Sequence, residues 1–336
     1  MKAIIPAAGQ GTRLYPQTHT KPKGMVRLAG KPILGHILQN IAETNVEEVV
    51  VVVGGTMKDQ IIEYSRSAFS ERFAFDFVEQ ENAKGLGHSI YQAESVARGD
   101  ELLIALGDML FENKFNAFLD AHDELPESDG SIGVKEVSEP NHYGVVEMNE
   151  DNAVSRLVEK PDDPPSNFAI SGVYIIENSN ALFDALGNLV NNDIRGAGNE
   201  FQLTDALQMM VEQGCNLRTF EVEDWYDCGR PETLLEANRV LLERTKTDGD
   251  EQLRGSVIIP PIDAGENITV KGSVIGPYVS IDNGATIEQS IVANSIVGQN
   301  AVLQGVNISE SIVGSNTDVH GEANNLNVGD NSSIYF

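Results

Sequence analysis

The chain has 336 residues, of which 51 are acidic and 23 are basic, so its formal net charge is −28 at pH 7. A surface this acidic repels nucleic acids and anionic membranes, and we expect neither class of partner. The acidic residues are spread along the whole chain instead of forming a tail, which predicts a halophilic protein that stays soluble in concentrated salt.

No segment of the chain predicts export or membrane insertion. The apolar run after Lys2 is broken by Pro6 and Gly9, so it is no signal peptide, and no apolar stretch is long enough to span a bilayer. We therefore expect a cytoplasmic protein. Cys215 and Cys228 are too few for a disulfide framework and lack metal-ligand spacing, so both are expected to be small buried hydrophobic side chains.

The first predicted strand, residues 3–5, leads into a glycine-containing turn at residues 8–13 with the sequence Ala-Gly-Gln-Gly-Thr-Arg. Glycine lets the backbone approach a ligand closely, and successive amide groups in such a turn can hold phosphate oxygens. Arg13 and Lys23 add positive charge. The turn lacks the third glycine of the dinucleotide fingerprint and the ending of the Walker loop, so neither phosphate loop is predicted. A tight connection without a ligand is the alternative.

Strand and helix patterns alternate after this turn. Pro32 begins a predicted amphipathic helix, five consecutive valines at residues 49–53 predict a strand buried on both faces, and residues 58–69 predict the next helix. Residues 73–78 and 102–106 predict two more strands. This order indicates a doubly wound, mostly parallel α/β domain, in which ligands bind at the carboxyl ends of the strands.

Two polar positions follow these strands directly. Gln80 offers a donor and an acceptor that suit the edge of a pyrimidine, and Gly85 would let a base lie close to the backbone. A polar loop before a helix is the alternative. Asp108 would point into the ligand crevice, where a carboxylate and substrate phosphates commonly hold Mg²⁺, although a simple Gly-Asp turn is also possible.

The pattern changes to short alternating strands between residues 132 and 176. Three strings stand out there: Tyr143-Gly144-Val145-Val146, Glu159-Lys160-Pro161 and Ser171-Gly172-Val173-Tyr174. Taken alone, Glu159 and Lys160 are more typical of an exposed charged pair.

The remainder of this first part of the chain contains two predicted helices and one strand. Residues 199–211 lead into a helix that Thr204 or Asp205 could cap. Residues 217–222 predict a strand, and residues 231–243 predict a closing helix. Between them lies the string Trp225-Tyr226-Asp227-Cys228-Gly229.

A change of period marks a second domain. A chain of this length favours one large and one smaller domain, and the polar residues 244–254 are the expected linker between residues 1–243 and residues 255–336.

Aliphatic residues in the second domain recur every six residues, as at Ile275, Ile281 and Ile287, and the spacing slips after residues 287, 303 and 319. This is the hexapeptide signature of a parallel β-helix, with the slips expected at the corners of its coils. A polar cap at residues 322–331 is expected to end it.

Taken together, these motifs resemble those of the sugar-1-phosphate nucleotidylyltransferases. Gly9-Gln10-Gly11-Thr12-Arg13-Leu14 and Pro22-Lys23 match the signature Gly-x-Gly-Thr-Arg-Leu and Pro-Lys of that family position by position. The repeats resemble the left-handed β-helix of its archaeal long form, which includes thymidylyl and uridylyl enzymes. The implied fold is a Rossmann-like nucleotidyltransferase domain followed by a left-handed parallel β-helix.

The resemblance also implies a role for each site residue. Arg13 would grip the triphosphate, Lys23 would stabilise charge at the α-phosphate, and Lys160 would hold the phosphate of the sugar. The Leu-Gly-Asp and Trp-x-Asp-x-Gly strings resemble two metal motifs, which makes Asp108 and Asp227 the implied Mg²⁺ ligands. The other implied substrate-binding residues are Ala8, Gly9, Gly11, Thr12, Gln80, Gly85, Gly144, Glu159 and Gly172.

The implied reaction is the attack of a sugar 1-phosphate on the α-phosphorus of dTTP or UTP, with glucose 1-phosphate as the expected acceptor. Two departures from the family pattern are Pro6, where an aliphatic residue is usual, and residues 24–27, which replace a Leu-x-Pro ending. Neither departure removes a charged group of the implied site. Because β-helices often assemble side by side, we expect a homo-oligomer.

Two other functions remain open. A non-catalytic regulatory subunit that binds nucleotide sugars would not need both metal carboxylates, so their presence argues against it. A bifunctional enzyme would also transfer an acetyl group, acting on N-acetylglucosamine 1-phosphate. The β-helix carries a single histidine, His320, and a lone imidazole is more often structural than a general base.

Overall fold

A computed structural model describes residues 1–9, 11–149, 151–244 and 255–321. The chain divides into two compact units, the first comprising Met1–Val26 and Lys31–Leu234, the second Arg27–Gly30 and Leu235–Phe336. Residues 245–254 of the predicted linker lie outside the described residues, so the predicted domain limits stay a prediction.

Strands of the described residues up to 244 include both long central strands and short pairs. In chain order they are β1 (Lys2–Pro6), β2 (Arg27–Leu28), β3 (Lys31–Pro32), β4 (Glu48–Val53), β5 (Ala74–Glu79), β6 (Leu102–Ala105), β7 (Met109–Phe111), β8 (Gly130–Glu136), β9 (Gly144–Met148), β10 (Val154–Glu159), β11 (Phe168–Ile176), β12 (Leu217–Glu221) and β13 (Trp225–Asp227).

The α-helices of the described residues all precede residue 245. They are α1 (Ile33–Ala42), α2 (Lys58–Phe69), α3 (Leu86–Tyr91), α4 (Glu94–Ala97), α5 (Phe115–Asp123), α6 (Ser179–Asn191), α7 (Leu203–Glu212) and α8 (Pro231–Arg244). Short 3₁₀ turns lie at Thr12–Leu14, Gln17–His19, Lys23–Met25, Pro140–His142 and Ala197–Asn199. No helix in the described part of the chain has the length and apolar content needed to cross a membrane.

The first unit is built on one mixed sheet. Strands β6, β1, β4 and β5 lie in that order and are parallel, while β11 pairs antiparallel with β6. Strands β8 and β12 continue the sheet beyond β11 on one path, and β9 and β10 on the other. This confirms the Rossmann-like α/β fold predicted from the order of elements.

Apolar side chains on both faces of β4 explain why it lies inside the sheet. Val50 and Val52 belong to a buried cluster that also contains residues of α6 and α7. Val49 and Val51 alternate with them, point to the opposite face and are equally buried. Burying one such side chain contributes about 1.5–3 kcal/mol, so a run apolar on both faces is stable only between two covering layers.

Two local predictions are wrong or incomplete. Neither Thr204 nor Asp205 caps helix α7, because the cap position is Gln202 and no side chain makes a capping hydrogen bond there. Thr204 lies in the first turn of the helix, where its buried hydroxyl donates to Glu159 instead. Cys228 is buried as expected, but Cys215 is only partly buried.

The second unit contains a stack of short parallel strands. They are β14 (Val257–Ile258), β15 (Ile262–Ala264), β16 (Thr269–Lys271), β17 (Val274–Ile275), β18 (Val279–Ile281), β19 (Thr286–Glu288), β20 (Ile291–Ala293), β21 (Ser295–Val297), β22 (Val302–Gln304), β23 (Asn307–Ser309), β24 (Ile312–Val313) and β25 (Asp318–His320).

These strands form three parallel sheets of four strands each, the arrangement of the predicted left-handed β-helix. Successive coils are 16 or 17 residues apart, as the hydrogen bonds between stacked corners show. Because three six-residue faces would need about 18 residues per coil, at least one corner in each coil is shorter. Ile275, Ile281 and Ile287 are completely or almost completely buried inside the stack. The predicted cap at 322–331 lies outside the described residues.

Residues 27–30 group with this second unit through a buried asparagine. The Oδ1 atom of Asn238 accepts hydrogen bonds from the backbone N–H of Ala29, at 2.9 Å, and from the hydroxyl of Ser280, at 2.6 Å. Asn238 is completely buried and lies in α8. The linear sequence gives no sign of this grouping, because the three residues are far apart along the chain.

Candidate functional site

A cavity of about 600 Å³ opens in the first unit beside the carboxyl ends of β1 and β6. Every site residue predicted from the sequence lines it: Ala8, Gly9, Gly11, Thr12, Arg13, Lys23, Gln80, Gly85, Asp108, Gly144, Glu159, Lys160, Gly172 and Asp227. The structure therefore brings these residues together, while their individual roles stay predictions. Gln10, at the centre of the glycine turn, lies outside the described residues.

The two glycines of the turn differ in what surrounds them. Gly11 has a φ of +63°, and a Cβ atom there would lie 2.9 Å from Cγ2 of Thr18, so this position requires glycine for the protein's own geometry. A Cβ atom at Gly9 would meet no heavy atom within 4 Å. The open space at Gly9 is therefore available for a ligand to approach the backbone.

A cluster of opposite charges forms part of the cavity lining. Lys23 is only 9% exposed, and its Nζ lies 2.5 Å from Oδ2 of Asp108 and 3.6 Å from Oδ1 of Asp227. The Nη1 atom of Arg13 lies 3.9 Å from Oδ2 of Asp227. One ammonium thus holds two carboxylates together, and Arg13, with a side chain 56% exposed, reaches the cluster from the solvent side.

A two-stranded sheet brings the two carboxylates together although they are far apart in the chain. Strands β7 and β13 pair antiparallel, with Asp227 opposite Met109, and the N–H of Cys228 donates to the carbonyl of Asp108 at 2.9 Å. Cys228 is completely buried, and burial, followed by the nearby Asp108, raises the pKa of its thiol. The thiol is therefore protonated, and it packs in the interior and donates to the carbonyl of Tyr226 at 3.7 Å.

Gly229 is a residue of this cluster that the sequence analysis did not place in the site. A Cβ atom at this position would lie 2.6 Å from Oδ1 of Asp227, 2.8 Å from Nζ of Lys23 and 3.1 Å from Nη2 of Arg13. The glycine at the end of the Trp-x-Asp-x-Gly string was the available signal. Because Gly229 has no side chain, the charged groups can lie close together at this position.

A second group of cavity-lining residues is organised around Glu159. Gly144 and Glu159 are antiparallel partners in β9 and β10, and Oε2 of Glu159 accepts from the hydroxyl of Thr204 at 2.7 Å. Oε1 of Glu159 lies 3.3 Å from Nζ of Lys160, whose side chain is 56% exposed. Tyr174 also lines the cavity, and burial, with the nearby carboxylate of Glu159, raises the pKa of its hydroxyl.

Thr204 and Tyr174 were not predicted as site residues. Both stand in strings that were noted above, but their proximity to Glu159 arises from the packing of α7 against β10 and from the sheet order β10-β9-β11. Sequence patterns record spacing along one element and do not report such contacts.

Gly85 and Gly172 are required by the packing of the protein itself, in addition to the ligand contacts predicted for them. Gly85 has a φ of +106°, and a Cβ atom there would lie 2.6 Å from the carbonyl oxygen of Phe201. Gly172 has a φ of +91°, and a Cβ atom there would lie 2.8 Å from Cδ1 of Leu106. At both positions close packing of the protein already excludes a side chain, whether or not a ligand is present.

The chemistry of the cavity suits anionic ligands and a hard metal ion. Arg13, Lys23 and Lys160 provide positive charge, while two carboxylates supply oxygen ligands of the kind that Mg²⁺ prefers. Among the described residues, no cluster of three or more His, Cys, Asp or Glu side chains is placed to hold a metal. Mg²⁺ commonly takes one or two carboxylates and completes its shell with phosphate oxygens and water, so the two aspartates fit this ion.

Comparison with protein families and curated proteins gives a consistent result. A family model described as "Nucleotidyl transferase" matches residues 2–244. The chain is 38% identical over 268 residues to the "Bifunctional protein GlmU" of Methanococcus maripaludis strain C7, covering 77% of this chain and 60% of that protein. It is 30% identical over 373 residues to the "Low-salt glycan biosynthesis nucleotidyltransferase Agl11" of Haloferax volcanii, covering 99% of both chains.

A third relative is the "Glucose-1-phosphate thymidylyltransferase" of Streptomyces griseus, 31% identical over 361 residues and covering 99% of this chain and 98% of that protein. The chain thus spans less than two thirds of the GlmU relative and nearly all of the other two.

Solved structures show the same fold for most of the chain. A UDP-glucose pyrophosphorylase complexed with UDP-glucose matches with a TM-score of 0.60 and 27% identity, covering 73% of this chain and 99% of that chain. A structure titled "Putative Glucose-1-Phosphate Thymidylyltransferase" from Bacillus anthracis matches with a TM-score of 0.63 and 21% identity, covering 74% of this chain and 98% of that chain.

Proposed function

The chain belongs to the nucleotidyl transferase family, and we propose that it transfers the nucleotidyl group of dTTP or UTP to a sugar 1-phosphate, releasing pyrophosphate. The observation that carries the proposal is that one cavity is lined by three cationic side chains and two aspartates, namely Arg13, Lys23, Lys160, Asp108 and Asp227. Relatives named as a thymidylyltransferase and a nucleotidyltransferase, aligned over nearly their whole length, support it.

The proposed reaction needs no covalent enzyme intermediate, because the attacking sugar phosphate is already anionic. An oxygen of its phosphate forms a new bond to the α-phosphorus, the bond between the α-phosphorus and the bridging oxygen to the β-phosphate breaks, and pyrophosphate leaves. The protein aligns the two substrates and neutralises their charge. We assign triphosphate binding to Arg13, stabilisation at the α-phosphate to Lys23, and binding of the sugar phosphate to Lys160.

The remaining predicted residues fit the two ends of such a pair of substrates. Backbone groups of the turn would contact the triphosphate, through Ala8, Gly9, Gly11 and Thr12. Gln80 and Gly85 would bind the base. The sugar would contact Gly144, Glu159 and Gly172, with Glu159 accepting hydrogen bonds from hydroxyl groups.

We propose Mg²⁺ as the metal, held by Asp108 and Asp227, and its charge would offset part of the charge of the phosphates. Lys23 neutralises the same carboxylates at 2.5 and 3.6 Å. A lysine that already lies between the two aspartates is well placed to contact phosphate oxygens that arrive with the metal.

Glucose 1-phosphate is the acceptor we propose, since a relative aligned over nearly its whole length and a solved neighbour at 27% identity carry glucose in their names. N-acetylglucosamine 1-phosphate and an added acetyl transfer remain the alternative, and an acetyl-CoA assay with amino-sugar phosphates tests them. A regulatory subunit without turnover is the other alternative.

We also propose a cytoplasmic location, where nucleoside triphosphates are made, and a homo-oligomer, which light scattering coupled to size exclusion would measure.

The experiment that tests the proposed function is pyrophosphate release from four nucleoside triphosphates crossed with the 1-phosphates of glucose, mannose, galactose and N-acetylglucosamine. We expect turnover with dTTP or UTP. The rate of pyrophosphate release should fall about a hundredfold or more in Lys23→Ala and in Asp227→Ala, because each substitution removes charge stabilisation at the reacting phosphates. Lys114→Ala is the matched control, since Lys114 is 65% exposed and pairs with Glu43 at the surface. Near-normal turnover in either site variant would contradict its assigned role.

A further inference from the structure

The side-chain amide of Gln80 is held in one orientation by two acceptors. Its Nε2 lies 3.2 Å from the carbonyl oxygen of Gly85 and 2.9 Å from Nδ1 of His88. A carbonyl oxygen can only accept a hydrogen bond, so the nitrogen end of the amide must face this pair. Both protons of Nε2 are then used, and Oε1 is the end that remains for a ligand in the cavity that Gln80 lines.

The imidazole ring of His88 is itself held in place by packing against an aromatic ring. Its ring packs against Phe201 with ring centroids 6.0 Å apart and an angle of 26° between the planes. Phe201 is tied to the same loop by its backbone, because its N–H donates to Lys84 at 2.8 Å and its carbonyl accepts from Gly87 at 2.8 Å. The imidazole therefore keeps Nδ1 directed at Gln80.

The protonation state of His88 suits an acceptor at Nδ1. Burial lowers the pKa of the imidazole, and the positive charges of Lys84 and Arg195 lower it further. The ring is thus neutral near pH 7, and with Nδ1 accepting, its single proton is on Nε2. Nε2 of Gln92 lies 3.3 Å from that nitrogen, but two N–H groups cannot hydrogen-bond to each other, and the Gln92 amide donates instead to the backbone carbonyl of His88 at 3.1 Å.

An acceptor presented to the base distinguishes between pyrimidines. Uracil and thymine carry a proton on N3 and can donate to Oε1 of Gln80. Cytosine has an unprotonated N3, which would face Oε1 with lone pair against lone pair. If the amide were free to rotate by half a turn, Gln80 could satisfy either base.

We propose that His88 is a positioning residue that fixes the amide of Gln80 and thereby makes the base site select uracil or thymine over cytosine. The proposal rests on the proposed function, specifically on Gln80 contacting the base. His88 does not line the cavity, so it acts through Gln80 and touches no substrate.

The test uses His88→Phe, which keeps a ring against Phe201 but removes the acceptor, and His88→Asn, whose Oδ1 can take the place of Nδ1. Gln92→Leu is the control, because Gln92 touches the other ring nitrogen and is absent from the cavity lining. For each full-length variant, kcat and KM are measured with UTP, dTTP and CTP, and thermal melting reports folding.

We expect His88→Phe to raise KM for UTP and dTTP about tenfold, to change kcat little, and to lower the preference over CTP about tenfold. His88→Asn should restore most of the preference, and Gln92→Leu should behave as the wild type. A folded His88→Phe with wild-type KM and base preference overturns the proposal, as does an equal loss in His88→Phe and His88→Asn.

Two further measurements separate this proposal from the proposed function. If the wild type releases no pyrophosphate with any triphosphate, the function fails, and calorimetric binding of UMP and CMP to the same variants still tests the role of His88. If His88→Phe does not fold, the pH profile of the wild type decides. Protonation at Nδ1 would place a donor against Nε2 of Gln80. Because burial lowers the pKa of His88, KM for UTP should rise only as the pH falls below the ordinary imidazole value of about 6.5, and a KM that stays flat down to the pH at which the protein unfolds overturns the proposal.

Discussion

Gly229 shows how a residue without a side chain can control a charged site. Nζ of Lys23 and Oδ1 of Asp227 occupy the space where its Cβ atom would be, at 2.8 and 2.6 Å. We expect Gly229→Ala to displace these groups and to lower the rate of pyrophosphate release about tenfold to a hundredfold, with a much smaller effect on KM for the sugar phosphate. Steady-state kinetics on the purified variant measure both.

The matched control for this substitution is Gly187→Ala. Gly187 lies in helix α6, and a Cβ atom there would be 3.5 Å from its nearest neighbour, which is an ordinary contact. Alanine is favoured over glycine inside a helix by about 0.5–1 kcal/mol, so this variant should be fully active and equally or more stable. Full activity in Gly229→Ala would show that the charged cluster tolerates displacement.

The same residues show how far the sequence determines the site at this scale. Most of the charged and glycine residues that line the cavity were predictable because each stands in a short string with a chemical reason of its own, as Lys23 and Asp108 do, whereas Gly229 was overlooked. The close approach of Phe201 to Gly85 was not, since it depends on two loops that meet only in the folded chain. His88 was missed for the same reason, because its role depends on the orientation of a neighbouring amide.

At the scale of elements, the periodicity of hydrophobic residues predicted the main strands and helices of the fold. The valine run of β4 is buried on both faces, and the six-residue repeat of the second unit forms the three-sheet stack. The short pair β7 and β13 was not predicted, although it aligns Asp108 with Asp227. Three-residue strands have too little periodicity to be recognised, and their pairing joins distant parts of the chain.

The β-helix also depends on polar side chains that fill its corners. Ser290 is only 2% exposed, its hydroxyl donates to the carbonyl of Glu288 at 2.8 Å, and the same oxygen accepts from the N–H of Val306 at 3.1 Å. Ser290→Ala would leave the partly buried N–H of Val306 without this acceptor. We expect a loss of about 1–3 kcal/mol in the stability of the β-helix, measured by urea unfolding.

Ser311→Ala is the control for the corner serine. The hydroxyl of Ser311 donates to the carbonyl of Ser309 at 2.7 Å in a solvent-exposed hydrogen bond. Its removal should cost well under about 1 kcal/mol, because water can replace an exposed partner. Equal midpoints for the two variants would mean that the corner hydrogen bonds do not stabilise the stack.

At the scale of the whole molecule, charge is the dominant feature. The chain has 51 acidic and 23 basic residues, so most acidic residues have no basic residue to pair with. One of the few cationic side chains, that of Lys23, is nearly buried between two aspartates. Pairs at the surface, such as Lys271 with Glu288, contribute little to stability. Repulsion among the remaining carboxylates therefore destabilises the compact state in dilute buffer.

This imbalance predicts that the protein is most stable in concentrated salt. The Debye length falls from about 10 Å at 0.1 M to about 3 Å at 1 M, so multimolar KCl screens nearly all repulsion between surface carboxylates of a chain with a net charge of −28. We expect the melting temperature to rise steeply between dilute buffer and 1 M KCl and then more slowly. Sucrose is the control, because it stabilises compact proteins through exclusion from their surface without screening charge. A midpoint independent of KCl, or a rise that sucrose reproduces in full, would show that charge repulsion does not limit the stability of this fold.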